Sequence, residues 1–203
     1  MRPSPLQGLW LAWLPLVLGL AGCWPAASPE AHFYQLSAIQ AEKPAGLPRA
    51  LHLGIGPVHL PDTLERPQIV TRTGNNELLL AEYHRWGGSL REEVARVLTE
   101  DLGQLLPGAV LESYPWRHGN LLTHRVEVNV LRFDGVLGQE ADLEAQWSIW
   151  SGHGEKLLLS RTTRLREPIS TPDYPALVAA QSRLLGRLSR EVAETLRQIA
   201  ASP

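Results

Sequence analysis

From Val126 to Val130 the chain alternates apolar Val126, Val128 and Val130 with polar Glu127 and Asn129, then runs on to Arg132 and Phe133. That period of two is the mark of a strand with one buried face. The pattern recurs in Leu143, Ala145, Trp147 and Ile149, which places Trp147 in the core and Trp150 on the other face. Gly152-His153-Gly154 then turns the chain, and Leu157 and Leu159 return it as a further strand. Shorter runs predict strands at Phe33–Ala38, Ala50–Val58 and Ala109–Tyr114, with Pro44, Gly46 and Pro48 marking the loop between the first two. Pro61-Asp62-Thr63-Leu64 opens one helical turn that Pro67 ends, and residues 68–86 hold two strands around Gly74-Asn75-Asn76. Asn and Gly tolerate positive φ, so those two strands read as a tight hairpin.

Two segments switch to helical period. Ser89-Leu90-Arg91-Glu92 fits a capping box, and Leu90, Val94, Val97, Leu98, Leu102 and Leu105 then fall on one face before Pro107-Gly108 stops the helix. After Pro168, Pro172 and Pro175, a terminal helix runs from about Pro175 to Ile199, with Leu177, Leu184, Leu188, Val192 and Leu196 on its apolar face. Strands mixed with two long helices predict an α/β domain, a mixed sheet packed by those helices, over residues 33–203.

The N-terminus has a different pattern. Met1-Arg2 precedes an uncharged apolar stretch from Leu9 to Leu20, the layout of a signal peptide over residues 1–22. Twelve helical residues cover roughly 18 Å of a hydrocarbon core roughly 30 Å thick, and Pro15 disturbs a spanning helix, so the stretch is too short for a permanent anchor. Small residues Ala21 and Gly22 lead into Cys23, the only cysteine of the chain. Trp24 to Ala31 is rich in Pro, Ala and Ser, and residues 23–32 read as a tether reaching at most about 30 Å.

Composition narrows the partners. Without residues 1–22 the chain carries 18 basic against 21 acidic residues, which fits neither a nucleic-acid protein nor a polybasic membrane binder. About 180 residues rich in Leu, Val and Ala suffice for one domain with a core, and a single cysteine offers no internal disulfide.

Chemistry is sparsely signalled. The seven histidines, at 32, 52, 59, 84, 118, 124 and 153, form no H-x-H or H-E-x-x-H, so no metal site is indicated. Gly54-Ile55-Gly56 runs into Pro57 and lacks the third glycine and opening helix of a dinucleotide fingerprint, so no cofactor is indicated either. Neither G-x-S-x-G nor S-x-x-K occurs, and Asp62, Glu65, Asp134 and Asp173 fall where turns and caps are the default roles. The segment that stands out is Tyr83-His84-Arg85-Trp86, just before a helix start. Aromatics and Arg dominate interface anchors, so Tyr83, Arg85 and Trp86 are candidate partner contacts; packing of the strand-to-helix corner is the other reading of Tyr83 and Trp86.

Leu20-Ala21-Gly22-Cys23 resembles the bacterial lipobox. That resemblance implies cleavage before Cys23, a diacylglycerol thioether on its sulfur and N-acylation of the new terminus, typically with palmitate. An aspartate after the cysteine resembles the inner-membrane retention signal; Trp24 stands there instead, which by analogy implies the periplasmic face of the outer membrane. Leu60-Pro61, Arg66-Pro67, the Tyr83…Arg85-Trp86 cluster, Arg132-Phe133 and the final helix, in that order, resemble the PqiC-type ABC-transport auxiliary lipoproteins. The resemblance implies a non-enzymatic outer-membrane lipoprotein that works with an MCE-domain transport protein and, indirectly, an ABC permease and ATPase. Lipid transport between membranes, envelope integrity and a homo-oligomeric ring are further implications. The residues alone also fit an adaptor of another outer-membrane complex or a small hydrolase on a lipid tether.

Overall fold

The computed structural model describes residues 29–40, 51–74, 76–152, 154 and 156–201. Cys23, the signal peptide, and the loop at Pro44, Gly46 and Pro48 lie outside the described residues. Residues 31–203 form one compact unit. Its strands are β1 (His32–Tyr34), β2 (His52–His59), β3 (Gln68–Arg72), β4 (Leu78–Trp86), β5 (Val110–Ser113), β6 (His124–Gly135), β7 (Glu140–Ser151) and β8 (Leu157–Pro168). Helix α1 (Leu90–Leu105) lies between β4 and β5, and α2 (Tyr174–Ala201) ends the described chain.

The strands divide into a five-stranded mixed sheet, β5-β2-β6-β7-β8, and a three-stranded one, β1-β4-β3. In the larger sheet β2 runs parallel to β5 and β6, while β6, β7 and β8 are antiparallel neighbours. Alternation decides which face is covered. Val126, Val128, Val130, Leu143, Trp147 and Ile149 are buried, and α1 and α2 pack on that side of the sheet and on each other. Trp147 is wholly buried, and its Nε1–H donates to Thr163 Oγ1 at 3.0 Å. Trp150 is half-buried on the opposite side.

The local signals act as the sequence indicates. Ser89 caps α1, its hydroxyl accepting from the Glu92 N–H at 3.4 Å, and the six apolar positions read as one face are buried. Gly108 has φ +92°, a conformation that a side chain disfavours, and reverses the chain after α1. Gly56, at φ +104°, and Pro57 sit where the register of β2 against β6 breaks. Proline has no N–H for the ladder, so the break falls where pairing is already lost. β3 and β4 pair as the expected antiparallel hairpin. Asp134, expected in a turn, instead lies buried in β6, where it takes Arg72 of β3 at 2.7 Å and Arg132 at 2.8 Å. Its carboxylate thus joins the small sheet to the large one.

The first predicted strand, Phe33–Ala38, keeps its pairing only to Tyr34. Beyond it the chain becomes an extended strap over α1 and α2. The Leu36 N–H donates to Glu93 at 3.2 Å, Ser37 N–H to Ser182 Oγ at 3.1 Å, and Ile39 N–H to Asp101 at 2.8 Å. The Leu36 carbonyl accepts from Arg96 at 2.7 Å. Side chains of both helices therefore replace the strand ladder, which is why period-two reading overran the strand. Gly186 leaves room on α2 for Ile39, whose Cγ2 would collide with a Cβ there.

Asp101 is fully buried and also accepts from Ser189 Oγ at 2.9 Å. Burial pushes its carboxyl above the usual carboxylate range, although the bonds from Ile39 and Ser189 pull the other way. A raised folded-state pKa means that ionisation costs the fold stability at neutral pH, a cost that lifts as pH falls toward the unfolded value of about 4. Asp101→Asn keeps an acceptor for Ile39 without the charge. Urea unfolding from pH 7 to pH 4 should therefore show the stability difference moving toward the native protein; movement toward the variant would mean the fold favours the carboxylate.

Candidate functional site

β1 begins nine residues after Cys23. β1 lies at the edge of the small sheet and pairs in parallel with β4, His32 opposite His84, Phe33 opposite Arg85 and Tyr34 opposite Trp86. In-register parallel residues share a face, and faces alternate along each strand. His32, Tyr34, His84 and Trp86 consequently point one way and Phe33, Tyr83 and Arg85 the other.

The inward set is knit by ring contacts, with Tyr34 and His84 half-buried and His32 exposed. His84 stacks on His32 with ring centroids 5.1 Å apart and on Tyr174 of α2 at 4.0 Å. The Tyr34 hydroxyl and His84 Nδ1 share a hydrogen bond of 2.8 Å. Desolvation, and secondarily the neighbouring His32, lower the His84 pKa, which favours the neutral ring. Trp86 is 4% exposed and belongs to the core. Its place at the end of β4, just before α1, fits the corner-packing reading of this residue.

The outward set is a surface. Phe33 is 67% exposed and Tyr83 43%. Arg85 lies beside them, its Nε donating to the Glu82 carbonyl at 3.1 Å and its Nη2 lying 3.5 Å from the Glu82 carboxylate. Farther along β4, Leu79 and Leu80 are also exposed, and as consecutive strand residues they point to opposite faces. Sequence reasoning singled out Tyr83 and Arg85 and treated Phe33 only as a strand residue. The available signal was an apolar ring flanked by His32 and Tyr34, which alternation turns away from both.

A second aromatic group was also missed. Trp116 lies over Gly54, where a Cβ would come within 2.7 Å of its Nε1, and Tyr114 meets it edge-on at 5.2 Å. The Arg125 guanidinium sits 4.8 Å from the Trp116 ring centre. Gly54 is thus a seat for an indole rather than part of a nucleotide loop.

Of the acidic residues read as turns and caps, Asp173 holds a cap, while Asp134 and Glu65 hold ion pairs. Asp173 accepts from the Ala176 N–H at 2.8 Å at the start of α2, and Glu65 pairs with Arg91. Among the described residues no group of three metal-ligating side chains is assembled. One open depression of about 210 Å³ collects His59, Glu127, Asn129, Gln146 and Ser148. The Ser148 hydroxyl there donates to Ser160 Oγ at 3.2 Å rather than to the histidine, an arrangement that does not activate a nucleophile. No helix among the described residues is long and apolar enough to cross a membrane.

The sequence model of the family described as ABC-type transport auxiliary lipoprotein component matches residues 34–193, most of the chain. The chain belongs to this auxiliary lipoprotein family. Among its relatives, the intermembrane transport lipoprotein PqiC of Escherichia coli (strain K12) is 26% identical over 195 residues, 94% of this chain and 98% of the relative. The Shigella flexneri protein of the same name gives the same figures. Two crystal structures share the auxiliary lipoprotein's fold. A protein of Xanthomonas campestris superposes with a TM-score of 0.68 at 17% identity, over 80% of this chain and 92% of that one. An uncharacterized protein does so at 0.68 and 20% identity, over 83% and 99%.

Proposed function

We infer that this chain is a non-catalytic, outer-membrane-anchored lipoprotein of an intermembrane lipid transport system. Cys23 carries the lipids, the body faces the periplasm, and the body docks an MCE-type conduit at the outer membrane and so supports envelope integrity. An ABC permease and ATPase elsewhere in the system supply the energy. The observation that carries this reading is the nearly end-to-end match to a protein named as an intermembrane transport lipoprotein, 94% of one chain against 98% of the other. A match that spans nearly all of both chains supports reading them as proteins of one kind. The lipobox before Cys23 and the lack of a nucleotide fingerprint at Gly54-Ile55-Gly56 support it from the sequence side. A ring of copies around the end of the conduit fits the same reading.

In-cell crosslinking of the full-length protein, followed by mass spectrometry of what it captures, tests the proposal. Capture of an MCE-domain protein is the expected result. Capture of a different outer-membrane complex with no MCE-domain protein overturns the docking role and leaves an adaptor for another machine.

A further inference from the structure

The outward face of the small sheet has no structural role that accounts for its composition. Phe33 and Tyr83 expose their rings on it, while Trp86 on the other side joins the core. Aromatic rings and an arginine with an apolar stem and a polar head are the residues that favour the boundary between lipid tails and headgroups. We propose that this face, formed by Phe33, Tyr83 and Arg85, seats on the headgroup region of the bilayer that holds the Cys23 lipid. The inference rests on the acylation of Cys23 proposed above.

What selects a lipid surface over a protein is where the chain enters the body. Phe33 is ten residues from Cys23, a span of at most about 35 Å when fully extended. β1, the strand that this short leash enters, carries Phe33 and forms the sheet edge. Tethering turns a second contact into an intramolecular event, so a patch too weak to bind vesicles alone engages once the lipid is inserted. The charges point to the kind of contact. Arg85 lies 3.5 Å from the Glu82 carboxylate, which leaves the patch nearly neutral. Seating is therefore driven by apolar burial, and should depend little on salt or on the fraction of anionic lipid. Its consequence is orientation: the small sheet faces the membrane.

The test uses the full-length acylated protein in vesicles of phosphatidylethanolamine and phosphatidylglycerol. Acylation consumes the Cys23 thiol, so Phe33→Cys, Tyr83→Cys and, as a control, Arg164→Cys each present one thiol to a nitroxide label. Arg164 stands on β8 with its side chain 74% exposed. Collision with oxygen, which concentrates in lipid, is compared with collision with a water-soluble nickel chelate. Labels at 33 and 83 are expected to gain oxygen contact and lose nickel contact relative to the label at 164, equally at low and high salt. If the protein floats with the vesicles while labels at 33 and 83 stay as aqueous as that at 164, the seating is overturned and the anchor stands. If those labels become shielded only after an MCE-domain protein is added, the face belongs to a protein and the proposal fails. If the protein does not float with the vesicles, the acylation reading falls, and this inference falls with it.

Discussion

Replacing Cys23 by serine is expected to move the protein from the membrane fraction to the soluble periplasm almost completely. In the proposed acylation the sulfur is the nucleophile that takes the diacylglycerol, and a serine hydroxyl is far less nucleophilic at neutral pH. Each buried methylene adds about 0.8 kcal/mol, and one chain holds a protein only marginally whereas two or more hold it stably. Losing every chain removes the whole anchor, and a weak surface patch does not replace it. The variant needs an ordinary secretory leader, because an uncleaved apolar leader would itself hold the chain to the membrane. Fractionation and immunoblotting read the result. Thermal melting should be unchanged, since the compact unit begins at Ala31. A processed serine variant that stays with the membrane would overturn the lipid-anchor reading.

Trp147→Ala has the largest expected effect on stability. The ring is wholly buried between the five-stranded sheet and the helices, so its loss leaves a large cavity. Such truncations cost about 3–5 kcal/mol. The Thr163 hydroxyl, which accepts from the indole at 3.0 Å and donates to Glu191 at 2.7 Å, loses a donor in the core. For a domain of this size each kcal/mol is worth about 2–4 °C, so a Tm lower by about 10 °C or more is expected in calorimetry. Trp147→Phe keeps most of the volume but not the hydrogen bond, and should lie between. A melt within a few degrees of the native one would mean that the sheet and helices close over the gap.

These two residues also show what the sequence reveals and what it hides. Trp147 is legible because its strand alternates cleanly from Leu143 to Ile149 and both neighbouring strands are local hairpin partners. The two helices are legible for the same reason, since capping and apolar spacing act within a few residues. β1 is not. Its pairing is with β4, some fifty residues on, and the strap beyond it is held by Glu93, Asp101 and Ser182, the last 145 residues away. No local period encodes such partners. Division of the strands into two sheets is hidden likewise, because it depends on β4 pairing with the distant β1 as well as with β3. For the candidate surface, alternation separates Tyr83 and Arg85 from Trp86. Only the stack of His84 on Tyr174 shows which of the two sides is the inner one.

The strap also governs the order in which the chain can complete itself. Ser37 is held by Ser182 and Asp101 by Ser189, and both serines lie in the final helix. In a polypeptide delivered N-terminus first, α1 can offer Glu93, Arg96 and Asp101 to residues 36–39, but their seat is complete only when Ser182 and the recess at Gly186 have crossed. Throughout that interval the chain that follows Cys23 is not yet a finished body. For a cysteine processed as proposed, closure by the last element made leaves the processing enzymes their longest interval to reach it.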